Sequence, residues 1–290
     1  MRLRTLLGDY PVTRALKQRV VGSREVQFDF ADVKVPNTAF KRVVRNLEFD
    51  VAELAIVTFL MAKAHGKPLA LLPAVLFGRF QHPYLVYNAE RGPVAPRDLA
   101  GRRVAIRSSS VTTVAWIRGI LADDHAVDLD RVKWITFEDA HVAEYRDPPG
   151  VERAAEGKTP LGMLLAGEVD AAVLAEPLPQ DERLKSVIPD CAAAAQDWYR
   201  RKGALQINHM VVVRQSLQPG IVREVFDLFF QSKKISEEKA KPPLDTSPFG
   251  LEANRRNLEI AIDYVHRQKL ISRRYAVDEL FDDATRALGG

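Results

Sequence analysis

Four short stretches of this chain gather side chains that do chemistry at neutral pH. In Arg107-Ser-Ser-Ser-Val-Thr-Thr113, an arginine and five hydroxyls follow the apolar run RRVAI and lead into TTVAWIRGIL. Hydroxyls and free backbone N–H groups at a helix N-terminus favour an anion, so Ser108, Ser109, Ser110, Thr112 and Thr113 read as a carboxylate-binding turn. Plain N-capping, for which Ser and Thr are preferred, is the competing reading. In Phe77-Gly-Arg-Phe-Gln-His-Pro83, Arg79 suits a carboxylate, Phe80 suits an aromatic ring, and His82 can exchange protons near neutral pH. A polar loop with a surface histidine is the alternative. Glu53 stands in FDVAELAIVTFL, read as the first turn of a helix, where the helix dipole alone also favours an acid. Gln206-Ile-Asn-His209 precedes MVVVR and offers Asn208 and His209, unless that histidine is only a loop residue.

Other signatures are missing. The histidines at 65, 82, 125, 141, 209 and 266 form no HxH or HxxxH pair, and neither GxGxxG nor GxxxxGK[ST] occurs. No metal and no cofactor is expected. The single cysteine, Cys191 in CAAAAQDW, excludes an internal disulfide and reads as a buried small residue. Arg118, midway along TTVAWIRGIL, reads as an exposed helix charge.

The elements that must position these groups alternate. Leu3–Leu7, Val26–Phe30, Leu69–Phe77, Tyr84–Tyr87, Arg103–Arg107, Val132–Phe137, Asp170–Leu174 and Met210–Arg214 read as strands. Thr13–Val20, Val51–Ala64, Thr112–Asp123 and Pro160–Ala166 read as helices, the second closed by Gly66 and Pro68 and the last by Gly167. After Arg214 the chain turns helical, with apolar faces at Val222/Val225/Phe226/Phe229, Leu258/Ala261/Ile262/Val265 and Val277/Leu280/Phe281/Ala284/Leu288. Such alternation predicts α/β architecture with mostly parallel sheets. Breaks at Pro93–Pro96 and Gly203–His209 predict two lobes, 1–95 with 205–290 and 96–204, and a ligand held between them.

Composition agrees with a globular chain long enough for two lobes. Of 290 residues, 47% are apolar and 28% charged, and 42 Lys+Arg against 38 Asp+Glu leave a net charge of +4. The basic residues are dispersed, without an aromatic-interleaved basic arm, so no nucleic-acid partner is expected. The longest apolar candidate, Pro68–Phe77, is too short to span a membrane. The opening MRLRTLLGDYPVTRALK lacks the apolar core of a secretory signal, which predicts a cytoplasmic protein; a homo-oligomer is compatible with all of this.

The chain also resembles a known family. DVAELAIVTFL, PAVLFGRFQHPYLVYN, PRDLAGRRVAI, TTVAWIRGIL, GEVDAAV, INHMVVVR, SPFGLEANRRNLEIAIDYVHRQKLISRR and the late DELF run in the order seen in 4,5-dihydroxyphthalate decarboxylases, with WIRGIL and PFGLEANR the most specific pieces. The resemblance covers nearly the whole chain. It implies the two-lobed fold of type 2 periplasmic binding proteins and cofactor-independent loss of CO2 from a hydroxylated aromatic carboxylate. His82 or His209 would then be the acid, and Glu53 or the other histidine the base. Arg79 and the Ser109–Thr113 turn would hold carboxylates. The sequence departs from the family pattern at Gln81, where an arginine is usual, and at Leu205–Asn208, where the run is usually more apolar. The second reading is a non-catalytic solute-binding or sensor protein for a small anionic ligand.

Overall fold

The computed structural model of the protein describes residues 1–240 and 242–289. Its strands are β1 (Arg2–Leu6), β2 (Gln27–Phe30), β3 (Val51–Ala55), β4 (Leu69–Gly78), β5 (Leu85–Asn88), β6 (Arg103–Ile106), β7 (Lys133–Thr136), β8 (Glu152–Arg153), β9 (Ala171–Val173), β10 (Leu184–Ser186) and β11 (Ile207–Arg214). The α-helices are α1 (Pro11–Lys17), α2 (Phe40–Asn46), α3 (Ile56–Ala64), α4 (Thr112–His125), α5 (Pro160–Ala166), α6 (Cys191–Lys202), α7 (Pro219–Lys239), α8 (Leu251–Arg267) and α9 (Asp283–Arg286). They form two compact units, Met1–Arg79 with Leu205–Gly290, and Phe80–Ala204.

In the first unit the sheet order is β2-β1-β3-β11-β4, with β1 parallel to β2 and β3, and β11 antiparallel to β3 and β4. Val51, Leu72, Leu76, Val211 and Val213 pack with Val12 and Leu16 of α1 and Val222, Val225 and Phe229 of α7 into one apolar core. Leu71, Val75, Met210 and Val212 are as deeply buried. They alternate with that set, as strand side chains must when both faces of a sheet are covered.

This double coverage explains the main departure from the sequence reading. Val51–Ala64 is not one helix: Val51–Ala55 is a strand and only Ile56–Ala64 is helical. Every residue of VAELA is buried between neighbouring strands, and a short, mostly apolar run does not distinguish a buried strand from a buried helix by periodicity. Glu53 therefore lies in mid-strand and not in a helical first turn. β11 likewise begins at Ile207, so Asn208 and His209 belong to the strand and not to a loop before it.

The PFGLEANR segment pins the edge strand β4. Val75 N–H donates to Pro248 O at 3.2 Å, Gly250 N–H donates to Pro73 O at 2.8 Å, and Asn254 Nδ2 donates to Pro248 O and to Gly250 O, both at 2.9 Å. Asn257 Oδ1 accepts from Leu205 N–H at 2.7 Å, fixing the strand's approach to β11.

In the second unit the order is β10-β5-β9-β6-β7-β8. α4 covers one face through Val114, Ile117 and Leu121 against Val104, Ile106 and Trp134. α5 covers the other through Met163 and Leu164 against Ala105, Ile135 and Ala172. The span of α5 is the one expected: Thr159 caps it through Gly162 N–H, and Gly167 closes it at φ 74°. Because β5 pairs with β9 and β10, it lies in this unit, and the chain leaves the first unit at Arg79/Phe80 and not at Pro93–Pro96. The return is at Ala204/Leu205. The last expected helix is broken into a 3-10 turn, Val277–Leu280, and α9. Among the described residues no helix is long and apolar enough to cross a membrane.

Candidate active site

β3 and β11 are adjacent and antiparallel, with Val211 opposite Glu53 and His209 opposite Ala55. Side chains two apart on a strand share a face, so His209 becomes the diagonal neighbour of Glu53. Its Nδ1 lies 2.6 Å from Glu53 Oε1. The same carboxylate oxygen accepts from the Tyr10 hydroxyl at 2.6 Å, and Oε2 accepts from Gly8 N–H at 2.8 Å. Glu53 is fully buried, whereas 15% of the His209 side chain remains exposed.

Three donors converging on one buried group suit a carboxylate, which only accepts. His209 then carries its proton on Nδ1 and presents Nε2 as the nitrogen free to exchange a proton. The phenol of Tyr10 is pushed far up, first by burial and then by the charge of Glu53 and the hydrogen bond to it, so it stays protonated. Gly8 is required by space: a Cβ there would lie 2.6 Å from Tyr10 Cε2 and 2.9 Å from Glu53 Oε2.

An aromatic wall surrounds the histidine. Phe40 meets it edge-on with ring centroids 5.2 Å apart, and Phe77 lies at 5.6 Å. Phe77 stacks on Tyr10 at 5.7 Å, and the Arg79 guanidinium carbon is 5.2 Å from the Phe77 ring centre. Glu53, His209 and Arg79 thus fall within one unit. Asn208, buried one residue before His209, lies where the register of β11 against β4 shifts between Ile207 and His209. Tyr10 and Gly8 carried no signal in the sequence beyond a Tyr-Pro helix start.

The other expected residues lie in the second unit. His82 is 1% exposed, neither ring nitrogen has a hydrogen-bond partner, and burial pushes its pKa down to about 4. It is neutral at pH 7. Phe80 lies against His82 and Tyr199, with ring centroids at 6.4 and 6.1 Å. Ser108, Ser109, Ser110, Thr112 and Thr113 are all buried ahead of or within the first turn of α4. Ser108 Oγ and Ser110 Oγ are 3.1 Å apart, and Ser110 Oγ accepts from His141 N–H at 3.4 Å. The N-cap residue of α4 is Val111, which makes no side-chain cap, so simple capping does not account for these hydroxyls. Arg118 departs from expectation: it is only 7% exposed, with its guanidinium carbon 4.1 Å from the centre of the Trp134 ring. Among the described residues, no group of three or more His, Cys, Asp or Glu is placed to hold a metal ion.

No family model matches the chain. It is 26% identical over 256 residues to a 4,5-dihydroxyphthalate decarboxylase of Comamonas testosteroni, covering 81% of this chain and 76% of that protein. It is 28% identical over 217 residues to the 4,5-dihydroxyphthalate decarboxylase of Pseudomonas putida, covering 69% and 82%. Among solved structures, the alkanesulfonate-binding protein SsuA of Xanthomonas axonopodis pv. citri, bound to MOPS, aligns with a TM-score of 0.58 at 13% identity, covering 97% of this chain and 98% of that one. At that identity the likeness is one of fold. The chain is thus similar in sequence to 4,5-dihydroxyphthalate decarboxylases and shares the fold of the periplasmic binding proteins.

Proposed function

We propose that the protein decarboxylates a hydroxylated aromatic carboxylate such as 4,5-dihydroxyphthalate without a cofactor, and that His209 is the acid. The observation that carries this reading is the hydrogen-bonded pair of His209 and the buried Glu53, completed by Tyr10 and Gly8. A ring hydroxyl para to a carboxylate raises electron density at the carbon that bears it. His209 Nε2 delivers its proton to that carbon, the bond to the carboxylate breaks, its electron pair restores aromaticity, and CO2 leaves. A fixed carboxylate beside Nδ1 stabilises the imidazolium needed to start this step and holds the ring in one orientation. The solvent-exposed part of His209 gives a route for reprotonation.

The other residues take supporting roles in this reading. Arg79, beside the Phe77 ring, holds a ligand carboxylate, and Phe77 and Phe40 flank the reacting ring. Glu53, already accepting from three donors, orients His209 and does not serve as the base for the phenol. His82 contributes no proton, since it is neutral at pH 7.

The test compares CO2 release with calorimetric binding for wild type and His209→Gln on hydroxylated aromatic di-acids, with and without chelator. Replacing a general acid costs about 10²–10⁴-fold in rate. His209→Gln should lose turnover by that factor while affinity changes by only a few-fold, and chelator should change neither. Wild-type turnover in the variant would remove His209 as the acid. A di-acid bound by the wild type and recovered unchanged would identify a binding protein instead.

A further inference from the structure

We propose that Arg118, Ser109 and the Tyr145 hydroxyl form a carboxylate-binding subsite in the second unit, one that takes an aromatic acid by its carboxylate. The starting point is a cation that the fold buries without a hydrogen-bonded counter-ion. Arg118 is 7% exposed, its Nε finds no hydrogen-bond acceptor, and it feels Tyr145 and Asp147 without pairing to either. Asp147 spends Oδ2 on the Thr136 hydroxyl at 3.3 Å, while its buried Oδ1 has no partner. Burying a charge in this way is costly unless something compensates it, and burial, against the opposing pull of Tyr145 and Asp147, draws the Arg118 pKa down to about 10.

The chemistry of the guanidinium selects the compensating group. The guanidinium carbon lies 4.1 Å from the Trp134 ring centre and Nε is unpartnered, and a guanidinium matches a planar carboxylate through two parallel N–H···O bonds. Two neutral hydroxyls stand nearby. Ser109 Oγ is fully buried and makes no well-formed hydrogen bond, yet it lies close enough to Tyr145 to pull that phenol down. Burial and Asp147 outweigh this pull and hold the Tyr145 phenol up, so it remains a donor. Asp147 opposes an anion here, which makes its removal diagnostic. This inference concerns binding and stands apart from the reaction proposed above.

The experiment is calorimetric titration of the full-length protein with phthalate, and with benzamide as an uncharged control. Each variant is also followed by thermal unfolding. Arg118→Gln should weaken phthalate about tenfold or more, the loss expected for a charge-assisted bidentate contact. Asp147→Asn should tighten phthalate a few-fold, Tyr145→Phe should weaken it a few-fold, and benzamide should not respond to any of them. A purely structural Arg118 would lower the unfolding midpoint and leave the Asp147→Asn affinity unchanged. Phthalate affinity equal to wild type in Arg118→Gln overturns the proposal. If that variant does not fold, unchanged affinity in both Asp147→Asn and Tyr145→Phe overturns it, as does a wild type that does not bind phthalate. Phthalate binding that depends on Arg118 in a protein that releases no CO2 would sink the reaction and leave the subsite standing.

Discussion

His209 Nδ1 and Glu53 Oε1 meet at 2.6 Å across two antiparallel strands, although 156 residues separate them in the chain. Glu53→Gln is the most informative change to this pair. It keeps the volume but replaces an all-acceptor group with one that also donates, so one of the three donors now faces an N–H. Turnover should fall about 10²-fold or more, with ligand affinity changed only a few-fold. The measurement is kcat against Kd; a variant with unaltered kcat would reduce the pair to a structural contact.

Tyr10→Phe separates orientation from chemistry. It removes one donor to Glu53 while keeping the stack on Phe77. Loss of a hydrogen bond to a charged group costs about 1.5–3 kcal/mol, and unfolding in urea should show it. Turnover should drop less than in His209→Gln, because Tyr10 reaches the reacting atoms only through Glu53.

Gly8→Ala tests the close packing beneath the site. The added Cβ at 2.6 Å from the Tyr10 ring and 2.9 Å from Glu53 Oε2 forces both to move. Overpacking of this kind typically costs about 1–3 kcal/mol. Turnover should fall with stability, whereas Gly22→Ala, where a Cβ meets nothing within 4 Å, should leave turnover as it is.

His82 should report on pH through stability and not through rate. Its folded pKa, about 4, lies below the ordinary histidine value, so the unfolded chain binds the extra proton first. Its contribution is complete above about pH 6.5 and is lost as pH falls toward 4. Between pH 7.5 and pH 5, wild type should lose about 2 kcal/mol more than His82→Leu in urea unfolding. Equal losses would show that His82 is not buried in its neutral form. Turnover per folded molecule at pH 7.5 should be similar in the two proteins.

Asn254→Ala checks that the PFGLEANR segment acts through the fold. The side chain donates to Pro248 O and Gly250 O, and its loss leaves two buried carbonyls short of a donor. A destabilisation of about 1–3 kcal/mol is expected, with kcat of the folded fraction unchanged. A kcat loss without destabilisation would place this segment in the chemistry.

Where residue type and spacing are local matters, the sequence was enough. The Pro160 start and Gly167 stop of α5 are set by a fixed φ and a left-handed turn, both properties of the residues themselves. The apolar run Leu69–Phe77 and the alternation around Phe28 likewise determined strands, and the order of elements determined an α/β fold. The sequence also singled out Glu53, Arg79 and His209 by their chemistry.

Tertiary structure decided what these residues do. VAELA reads equally well as helix or strand because its apolar residues on both sides of Glu53 set no period, and only its place between β1 and β11 made it a strand. That placement turned Glu53 from an acid at a helix start into the buried partner of His209. Packing also reversed the reading of Arg118, whose long side chain found an aromatic face on the strand beneath its helix that no local pattern announces. It also buried His82, and the loss of water pushes its pKa down to about 4. Burial and cross-strand proximity are properties of the assembled chain: they depend on which distant segments come together, and spacing along the sequence does not encode them.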